Sequence, residues 1–395
     1  MRLRNLFGWA PFREAADKLG DRMAIAMSAL SYPVQVPKGD STVGDAHFAS
    51  KPEVDFVDPF SGSEWDLLIG SHPESTFFHC SAWARVLSKT YGHKPFYLHL
   101  CRDGVSLALI PLMEIRSSFT GSRGLCLPFS DFCGPLAFGR PERRLLVDPL
   151  RALAKERKWD YFEIRDQSAL PSASTSSVQY YNHSLDLRPR PETLFANCFS
   201  SVRRAVRKAE KSGLTAKISQ SWSSLRAFYR LHVRTRRRHG LPPQPLSFFR
   251  NIFTEVIEPG LGFIVRADLG SRCLAAAVFF HVGRKALFKF GASDPAWQQL
   301  RGNNLVMWEG ICFLAESHCE LLDFGRTSLA NTSLRRFKLG WGVKEEIIGY
   351  SKWDTSAGAW VESCDHASGR HNAIFSRMPL ALNRWAGALC YPHLD

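Results

Sequence analysis

The sequence predicts an α/β (α+β) protein built from two tandem copies of one unit, each a mixed twisted sheet flanked by helices. Three observations predict this fold class. The chain has 395 residues and is 45% hydrophobic, which is enough material for two domains with real cores. Helical and strand-like patterns alternate from Val54 onward. The order helix, hairpin, strand, helix, strand then occurs twice along the chain.

The first copy is predicted between residues 51 and 195. A helical stretch, FFHCSAWARVLSKTYGHKP, is ended by Gly92 and Pro95. Two apolar strands then flank Asp103-Gly104, a dipeptide typical of a tight hairpin turn. A strand and a loop follow in GLCLPFSDFCGPLAF, an amphipathic helix in RRLLVDPLRALAKERKWD, and further strands in YFEIRD and HSLDL.

The second copy is predicted between residues 196 and 355. It begins with the helix SSVRRAVRKAEKSGL, the strand LTAKIS and the helix SSLRAFYRLHVRTRRRHG, which ends at Gly240. A hairpin then turns at residues 268–270. The strand KALFKFGAS, the helix NNLVMWEGICFLAESH and the strands ELLDFGRT and KEEIIGYSKW complete the unit.

Two flanking segments lie outside the repeat. Residues 1–50 are predicted to be a partly disordered leader, with a short amphipathic helix as the alternative. Residues 356–395 form a basic, amphipathic tail, which either packs back on the body or lies at a membrane surface. No apolar run reaches the roughly 18–20 residues that a membrane span needs. We therefore expect a cytoplasmic protein, with peripheral contact at the inner membrane face left open.

The ten cysteines follow no metal-binding pattern. None of them forms a C-x-x-C pair, and most lie among apolar residues. This usage is typical of buried, reduced thiols in a cytosolic protein. The sequence therefore predicts neither a metal site nor a disulfide framework.

Positive charge is concentrated in one region of the chain. The net charge is +14, and residues 196–250 alone hold thirteen Lys and Arg against one acid. In the helix that opens the second copy, apolar positions share one stripe and five cations fill the opposite arc: Arg203, Arg204, Arg207, Lys208 and Lys211. Like charges four residues apart cost about 0.2–0.5 kcal/mol per pair. Two interpretations stay open, a solvated face or a clamp for phosphate groups.

Two later segments carry further candidate residues. In the loop QQLRGNN, Arg301 precedes a helix whose exposed N–H groups suit an anion, and Asn303 is predicted to cap that helix. In LLDFGRTSLANTSLRRFKLGWG, Asp323 ends an apolar strand, and Arg326 and Lys338 follow it. For Asp323 the alternative is a simple salt bridge to Arg326 or to another neighbour, and for Lys338 it is surface exposure. The apolar neighbours of Lys338 favour partial burial.

Together, SVRRAVRKAEKSGL, RGNNLVMWEGI, LLDFGRT and LRRFKLGWG resemble the FemAB-like family, also called the BioF2-like acetyltransferase domain, within the GNAT superfamily. The resemblance is strongest over residues 196–355, and FFHCSAWARVL and LPFSDFCGPL extend it over residues 55–195. Such proteins carry two GNAT-like units in tandem, which agrees with the repeat. The segment from Gln299 to Gly302 resembles the start of the GNAT pyrophosphate loop, with Asn304 in the place of the last Gly/Ala.

The resemblance implies an enzyme that transfers an acyl or aminoacyl group to an amine of a cell-envelope substrate, either a peptidoglycan precursor or a polysaccharide-related compound. It implies acyl-CoA or aminoacyl-tRNA as co-substrate, no permanently bound cofactor, and a phosphorylated donor or a lipid- or nucleotide-linked acceptor as partner. The roles that it implies are phosphate binding by Arg203, Arg204, Arg207 and Lys208, contact with the reacting carbonyl by Lys338, and shaping of the pocket by Asp323 and Arg326. Asp323 is also a candidate general base.

The sequence has no recognisable Ser/His/Asp or Cys/His pattern of a nucleophilic enzyme. We therefore expect direct transfer of the acyl group to the amine, without an acyl-enzyme intermediate. Only TAKISQSW separates Leu214 from the next helix, where some family members insert a helical arm suited to RNA, and this weighs against tRNA. Two other classes stay open, a basic nucleic-acid-binding module and a catalytically degenerate GNAT-like scaffold. The first would favour aromatic residues among the cations, and residues 200–214 contain none.

Overall fold

The computed structural model describes residues 53–61, 64–70, 72–103, 105–138, 144–166, 176–363 and 371–394. The predicted leader and its alternative amphipathic helix lie outside the described residues.

The first half of the chain contains the predicted helices and strands together with several short strands. Its helices are α1 (Glu64–Gly70), α2 (Ser81–Tyr91) and α3 (Arg144–Arg157). Its strands are β1 (Glu53–Val57), β2 (Lys94–Pro95), β3 (Tyr97–Arg102), β4 (Val105–Ile110), β5 (Met113–Ser117), β6 (Gly121–Leu125), β7 (Leu136–Ala137), β8 (Tyr161–Ile164) and β9 (Val178–Asp186). The predicted hairpin at Asp103 is confirmed, since β3 and β4 pair across a positive φ of 50° at that residue.

The second half begins with helical segments. Its helices are α4 (Pro191–Asn197), α5 (Ser200–Lys211), α6 (Trp222–Arg238), α7 (Leu246–Ile252), α8 (Gly302–Glu316), α9 (Thr332–Leu339), α10 (His371–Arg377) and α11 (Leu380–Cys390). Its strands are β10 (Thr215–Ser219), β11 (Gly262–Leu269), β12 (Arg272–Val282), β13 (Lys285–Ser293), β14 (Leu321–Asp323), β15 (Thr327–Ser328), β16 (Lys344–Asp354) and β17 (Ala359–Val361). The predicted order of helix, hairpin, strand, helix and strand is therefore present.

The strands of the described residues form two sheets. The small one has the order β1-β3-β4-β7, and the large one is 13-stranded, with the order β10-β11-β12-β13-β14-β9-β16-β8-β6-β5-β2 along its main path. Strands β13 and β14 pair in parallel across helix α8, and β6 and β8 pair in parallel across α3. Strand β9 pairs with both β14 and β16, so one sheet runs through both halves. The predicted boundary at residue 195 stays a prediction.

Three apolar cores hold these layers together. One lies between the halves, where Phe77 and Trp83 of the first half pack against Phe280 of β12. A second lies under α5 and α8, and a third lies under α3. Full burial of one large apolar side chain contributes about 1.5–3 kcal/mol. The first of these cores is shared by both halves and therefore holds them in fixed contact.

The tail packs back on the body, which confirms the first of its two predicted arrangements. A Cβ at Gly387 of α11 would collide with the carbonyl oxygen of Pro243, so only glycine allows this approach. After α11, the buried Tyr391 accepts a 2.8 Å hydrogen bond from Arg236 of α6. In the described part of the chain no helix has the length and apolarity needed to cross a membrane.

Candidate active site

The site is built where β13 and β14 separate. They pair over only three residues, Lys285–Leu287 against Leu321–Asp323, and β13 then runs on to Ser293. Strand β14 ends at Asp323 and the chain soon turns at Gly325, whose φ is 72°. Ligands of such sheets usually bind at the carboxyl ends of parallel strands that diverge. We therefore take this point of divergence as the candidate site and call it the crevice.

A loop of the first half reaches the crevice and forms an ion pair there. Lys289 of β13 donates a 2.7 Å hydrogen bond to the carbonyl oxygen of Phe129 and lies 2.9 Å from the carboxylate of Asp131. The two charged side chains are only 7% and 20% exposed. The hydroxyl of Tyr350 in β16 donates to the carbonyl oxygen of Asp131 and fixes the loop from the other side.

Each member of this pair favours the charged form of the other. Burial raises the pKa of Asp131, but the neighbouring Lys289 and Arg326 outweigh burial and hold that pKa below its ordinary value. Burial lowers the pKa of Lys289, and Asp131 opposes that change. The crevice therefore contains a carboxylate and an ammonium group in a poorly hydrated environment, where charges interact strongly.

Lys338 lies in the same place and is buried, as its apolar neighbours predicted. It is 2% exposed, at the end of α9. Its ammonium group donates to the carbonyl oxygens of Gly325 at 2.6 Å and Arg326 at 3.2 Å. Burial lowers its pKa to about 8, although Asp131 and Asp323 act in the opposite direction. The alternative of a surface lysine is therefore wrong.

Asp323 is held by neutral donors rather than by the arginine considered as its alternative partner. One carboxylate oxygen accepts from the backbone N–H of Gly325 at 2.5 Å, and the other accepts from the side-chain amide of Asn182 at 3.0 Å. Burial is the main cause that raises the pKa of Asp323. A carboxylate with a raised pKa is a stronger base than an ordinary aspartate, which suits proton transfer near neutral pH.

Arg326 lies against two aromatic rings that also contact each other. Its guanidinium carbon lies 4.6 Å from the ring centre of Tyr180 and 5.2 Å from that of Tyr350. Burial opposes its charge, but these two tyrosines and Asp131 raise its pKa, so the guanidinium stays charged. The structure thus brings three predicted residues together with two that sequence reasoning missed, and we name this set the junction cluster: Asp131, Lys289, Asp323, Arg326 and Lys338.

The basic helix α5 contacts this region through its N-terminus. The backbone N–H of Phe199 donates a 2.9 Å hydrogen bond to the carbonyl oxygen of Gly340, and a Cβ at Gly340 would lie 2.7 Å from a methyl group of Val202. Val202, Val206 and Ala209 are buried, as the predicted apolar stripe requires. Helix α5 therefore lies directly beside the segment that carries Lys338.

The cations of α5 differ in their surroundings. Arg203 is half-buried and donates to the carbonyl oxygens of Ala196 and, at 2.9 Å, Cys198, where it closes the end of α4. Arg207 is exposed, with its guanidinium carbon 5.6 Å from the ring centre of Phe195. Arg204 and Lys208 are exposed as well. These contacts lead to α4 and to solvent, and they do not reach the junction cluster.

The predicted cap of helix α8 is wrong. Arg301, with a φ of 64°, occupies the N-cap position, and the helix begins at Gly302. Gly302 packs closely on the sheet, since a Cβ there would lie 3.0 Å from that of Ala275, and this contact sets the start of the helix. Asn303 lies within the first turn, and its amide donates to the hydroxyl of Ser293 at 3.0 Å. Arg301 is exposed at this helix end, apart from the junction cluster.

The sequence held weak signals for the two residues that were missed. Lys289 lies between Phe288 and Phe290 in the middle of the strand KALFKFGAS, and a lysine in such a place is rarely buried unless it is paired. Asp131 lies in LPFSDFCGPL, a loop with few other charges. Their sequence separation of 158 residues hides the pairing, because only the packing of the two halves brings them together.

One part of the chain matches a known protein family. Residues 196–339 match the family model described as Acetyltransferase (GNAT) domain. The predicted resemblance to the FemAB-like family of the GNAT superfamily is confirmed. A comparison with curated proteins gives no significant match.

Two solved structures have similar folds. The structure of FemX is 16% identical in sequence, with a TM-score of 0.60, over 75% of this chain and 96% of that one. A tandem GNAT protein from the clavulanic acid biosynthesis pathway is 12% identical, with a TM-score of 0.51, over 80% of this chain and 100% of that one. At such identities the likeness concerns the fold, and it confirms the predicted α/β class with GNAT-like units in tandem.

Proposed function

We propose that the protein is an N-acyltransferase or aminoacyltransferase that moves an activated group to an amine of a cell-envelope substrate, such as a peptidoglycan precursor or a polysaccharide-related compound. One observation carries this proposal. The junction cluster supplies two ammonium groups and two carboxylates at the diverging ends of β13 and β14, which belong to the part of the chain that matches the GNAT family model. Amide formation needs these two kinds of group, a donor for the oxyanion and an acceptor for the proton.

The reaction is a direct transfer. The neutral amine attacks the thioester or ester carbonyl, a C–N bond forms, and the carbonyl oxygen becomes an oxyanion. Lys338 is the proposed donor to that oxygen, since its ammonium group is already oriented by the carbonyl oxygens of Gly325 and Arg326. When the intermediate collapses, the C–S or C–O bond breaks and the leaving group takes up a proton.

Asp323 is the proposed base for the amine proton. Burial raises its pKa, and the hydrogen bonds from Gly325 and Asn182 fix its orientation. Asp131 is less suited to this role because Lys289 and Arg326 hold its pKa low. We assign Asp131 instead to the electrostatics of the crevice, where its charge opposes the lowering of the pKa of Lys289 and Lys338 by burial.

The donor is proposed to carry phosphate groups, as acyl-CoA and aminoacyl-tRNA both do. Arg204, Arg207 and Lys208 are exposed on a helix whose N-terminus adjoins the Lys338 segment, so they can meet the phosphates of a donor whose acyl end reaches the crevice. Arg301, at the N-terminus of α8, is a second phosphate contact of this kind. Arg203 is assigned to helix packing instead, because its guanidinium is used by α4.

The test is a transfer assay with both donor classes. Purified protein is incubated with an acyl-CoA set or with aminoacyl-tRNA, together with amine-containing envelope precursors, and products are followed by mass spectrometry. We expect an acceptor mass increased by one acyl or aminoacyl group with one of the two donors. Ligands retained by the purified protein are analysed in parallel. Absence of any product, with no donor bound or retained, would support the degenerate scaffold instead.

A further inference from the structure

Helix α11 is amphipathic, but its large apolar side chains face away from the body of the protein. The face that packs on the body carries Asn383, which is fully buried, and Gly387. The outer face carries Leu382, Trp385 and Leu389, which are 56%, 65% and 50% exposed. Their spacing of three and four residues places them on one stripe of the helix. Large apolar side chains thus face outward while an amide and a glycine face inward.

This orientation of α11 is fixed by specific contacts. The side-chain amide of Asn383 donates a 3.0 Å hydrogen bond to the carbonyl oxygen of Phe375 in α10. Gly387 touches the chain at Pro243 so closely that no other residue fits there. Rotating the helix to bury the stripe would break both contacts. The outer stripe is therefore a stable feature of the surface.

A second exposed aromatic residue lies at the end of the tail. Phe119, in the turn between β5 and β6, is 83% exposed, and its ring centre lies 5.0 Å from that of His393. The hydroxyl of Thr120 in the same turn donates to the carbonyl oxygen of His393 at 3.0 Å. We name Leu382, Trp385, Leu389 and Phe119 the tail face.

Helices α6, α10 and α11 carry cations and no acid, whereas the turn that holds Phe119 lies beside the carboxylate of Asp160. From His371 to Leu394 the chain has two arginines, Arg377 and Arg384, and no acid. Helix α6, which packs against α11, has six arginines and no acid, and four of them are exposed at successive i,i+4 positions: Arg226, Arg230, Arg234 and Arg238. An apolar stripe bordered by cations suits the boundary between lipid headgroups and acyl chains in an anionic bilayer.

We propose that the tail face docks on an anionic lipid bilayer, with Trp385 and its neighbours inserted at the headgroup level and the arginines of α6 beside anionic headgroups. Tryptophan favours this depth because its ring is apolar and its N–H is polar. A second copy of the chain fits less well, since a two-fold contact through this face would bring like charges together. The proposal does not depend on the transfer reaction.

The test is flotation of the full-length protein with vesicles. One set is pure phosphatidylcholine, and the other contains equal amounts of phosphatidylcholine and phosphatidylglycerol. We expect binding to the anionic set that is weakened by salt, and a loss of about tenfold or more for the combined variant Leu382→Ser, Trp385→Ser, Leu389→Ser. Phe56→Ser, at a 61% exposed position in β1, is the matched control and should bind as the parent does.

Three outcomes would overturn the proposal: no binding to the anionic vesicles, equal binding by the combined variant, or equal loss in the Phe56 control. A lipid-free dimer that Trp385→Glu dissociates would also overturn it, and would assign the face to a second copy. Thermal melting checks that each variant is folded. Trp385→Ser alone serves as the milder variant if the combined one is unstable.

Discussion

The basic helix α5 and the junction cluster hold charges of similar kind in opposite environments. Arg204, Arg207 and Lys208 crowd together in sequence but are exposed to solvent. Lys289 and Lys338 each stand between two apolar residues in the sequence and are buried in the structure, where Lys289 pairs with Asp131 and Lys338 donates to backbone carbonyl oxygens. A group that is buried and held by neighbours interacts more strongly than one in water. We therefore expect the chemical step to take place at the junction cluster. We expect α5 to attract a phosphorylated donor over a longer distance.

The largest effect is expected from breaking the buried pair. Asp131→Asn leaves the ammonium group of Lys289 buried without its counter-charge, and loss of one partner of such a pair costs about 3–5 kcal/mol. We expect the free energy of unfolding to fall by this amount in urea titrations. The exposed pair of Asp186 and Arg188, with side chains 48% and 71% exposed, is the matched control. Asp186→Asn should cost under about 1 kcal/mol.

The double variant Asp131→Asn, Lys289→Met tests whether the unpaired ammonium group causes the loss of stability. Replacing both charges removes the unpaired ammonium group, so much of the lost stability should return. If Asp131→Asn costs no more than Asp186→Asn, the pair does not differ from a surface ion pair. The contrast drawn between the two regions would then lose its energetic basis.

Catalysis should depend on Lys338 more than on any cation of α5. Lys338→Ala removes the proposed oxyanion donor, and loss of one such donor lowers kcat by on the order of 10²-fold. Lys344→Ala, at a side chain that is 72% exposed, is the matched control and should keep normal turnover. Turnover of Lys338→Ala near that of the parent would remove Lys338 from this role.

The pH profile tests the same assignment independently. An oxyanion donor must be protonated, and the pKa of Lys338 is lowered by burial to about 8. Its ammonium form is therefore lost as the pH rises through about 8, and kcat should fall there. Lys338→Arg keeps its charge at higher pH, so any residual activity of this variant should lack that fall. If kcat instead rises through pH 8, and this rise is lost in Lys338→Ala, Lys338 acts as a general base.

The sequence predicted local features well and long-range ones poorly. The apolar stripe of α5, the hairpin at Asp103 and the burial of Lys338 all follow from neighbours in the chain. The pairing of Asp131 with Lys289 does not, since it arises where two halves with a shared core meet. The cap predicted at Asn303 failed for the same reason, because contact between Gly302 and Ala275 of the sheet sets the helix start.

The smallest effect on stability is expected in α5. The combined variant Arg204→Gln, Arg207→Gln, Lys208→Gln removes three like-charge contacts, those of residues 203 with 207, 204 with 208, and 207 with 211. Each costs about 0.2–0.5 kcal/mol, so the free energy of unfolding should rise by roughly 1 kcal/mol. If the helix binds phosphates, KM for the donor should rise at unchanged kcat, and its dependence on salt should weaken.

The same variant decides between the two interpretations of α5. A solvated face predicts the gain in stability with no change in KM, whereas a phosphate clamp predicts the gain together with weaker donor binding. Arg226→Gln, Arg230→Gln removes two like-charge contacts from α6, those of residues 226 with 230 and 230 with 234, and is the matched control for the gain in stability alone. A rise in KM confined to the α5 variant would give the exposed cations a part in the reaction, and this part would be to bind the donor, since the contacts of α5 do not reach the junction cluster.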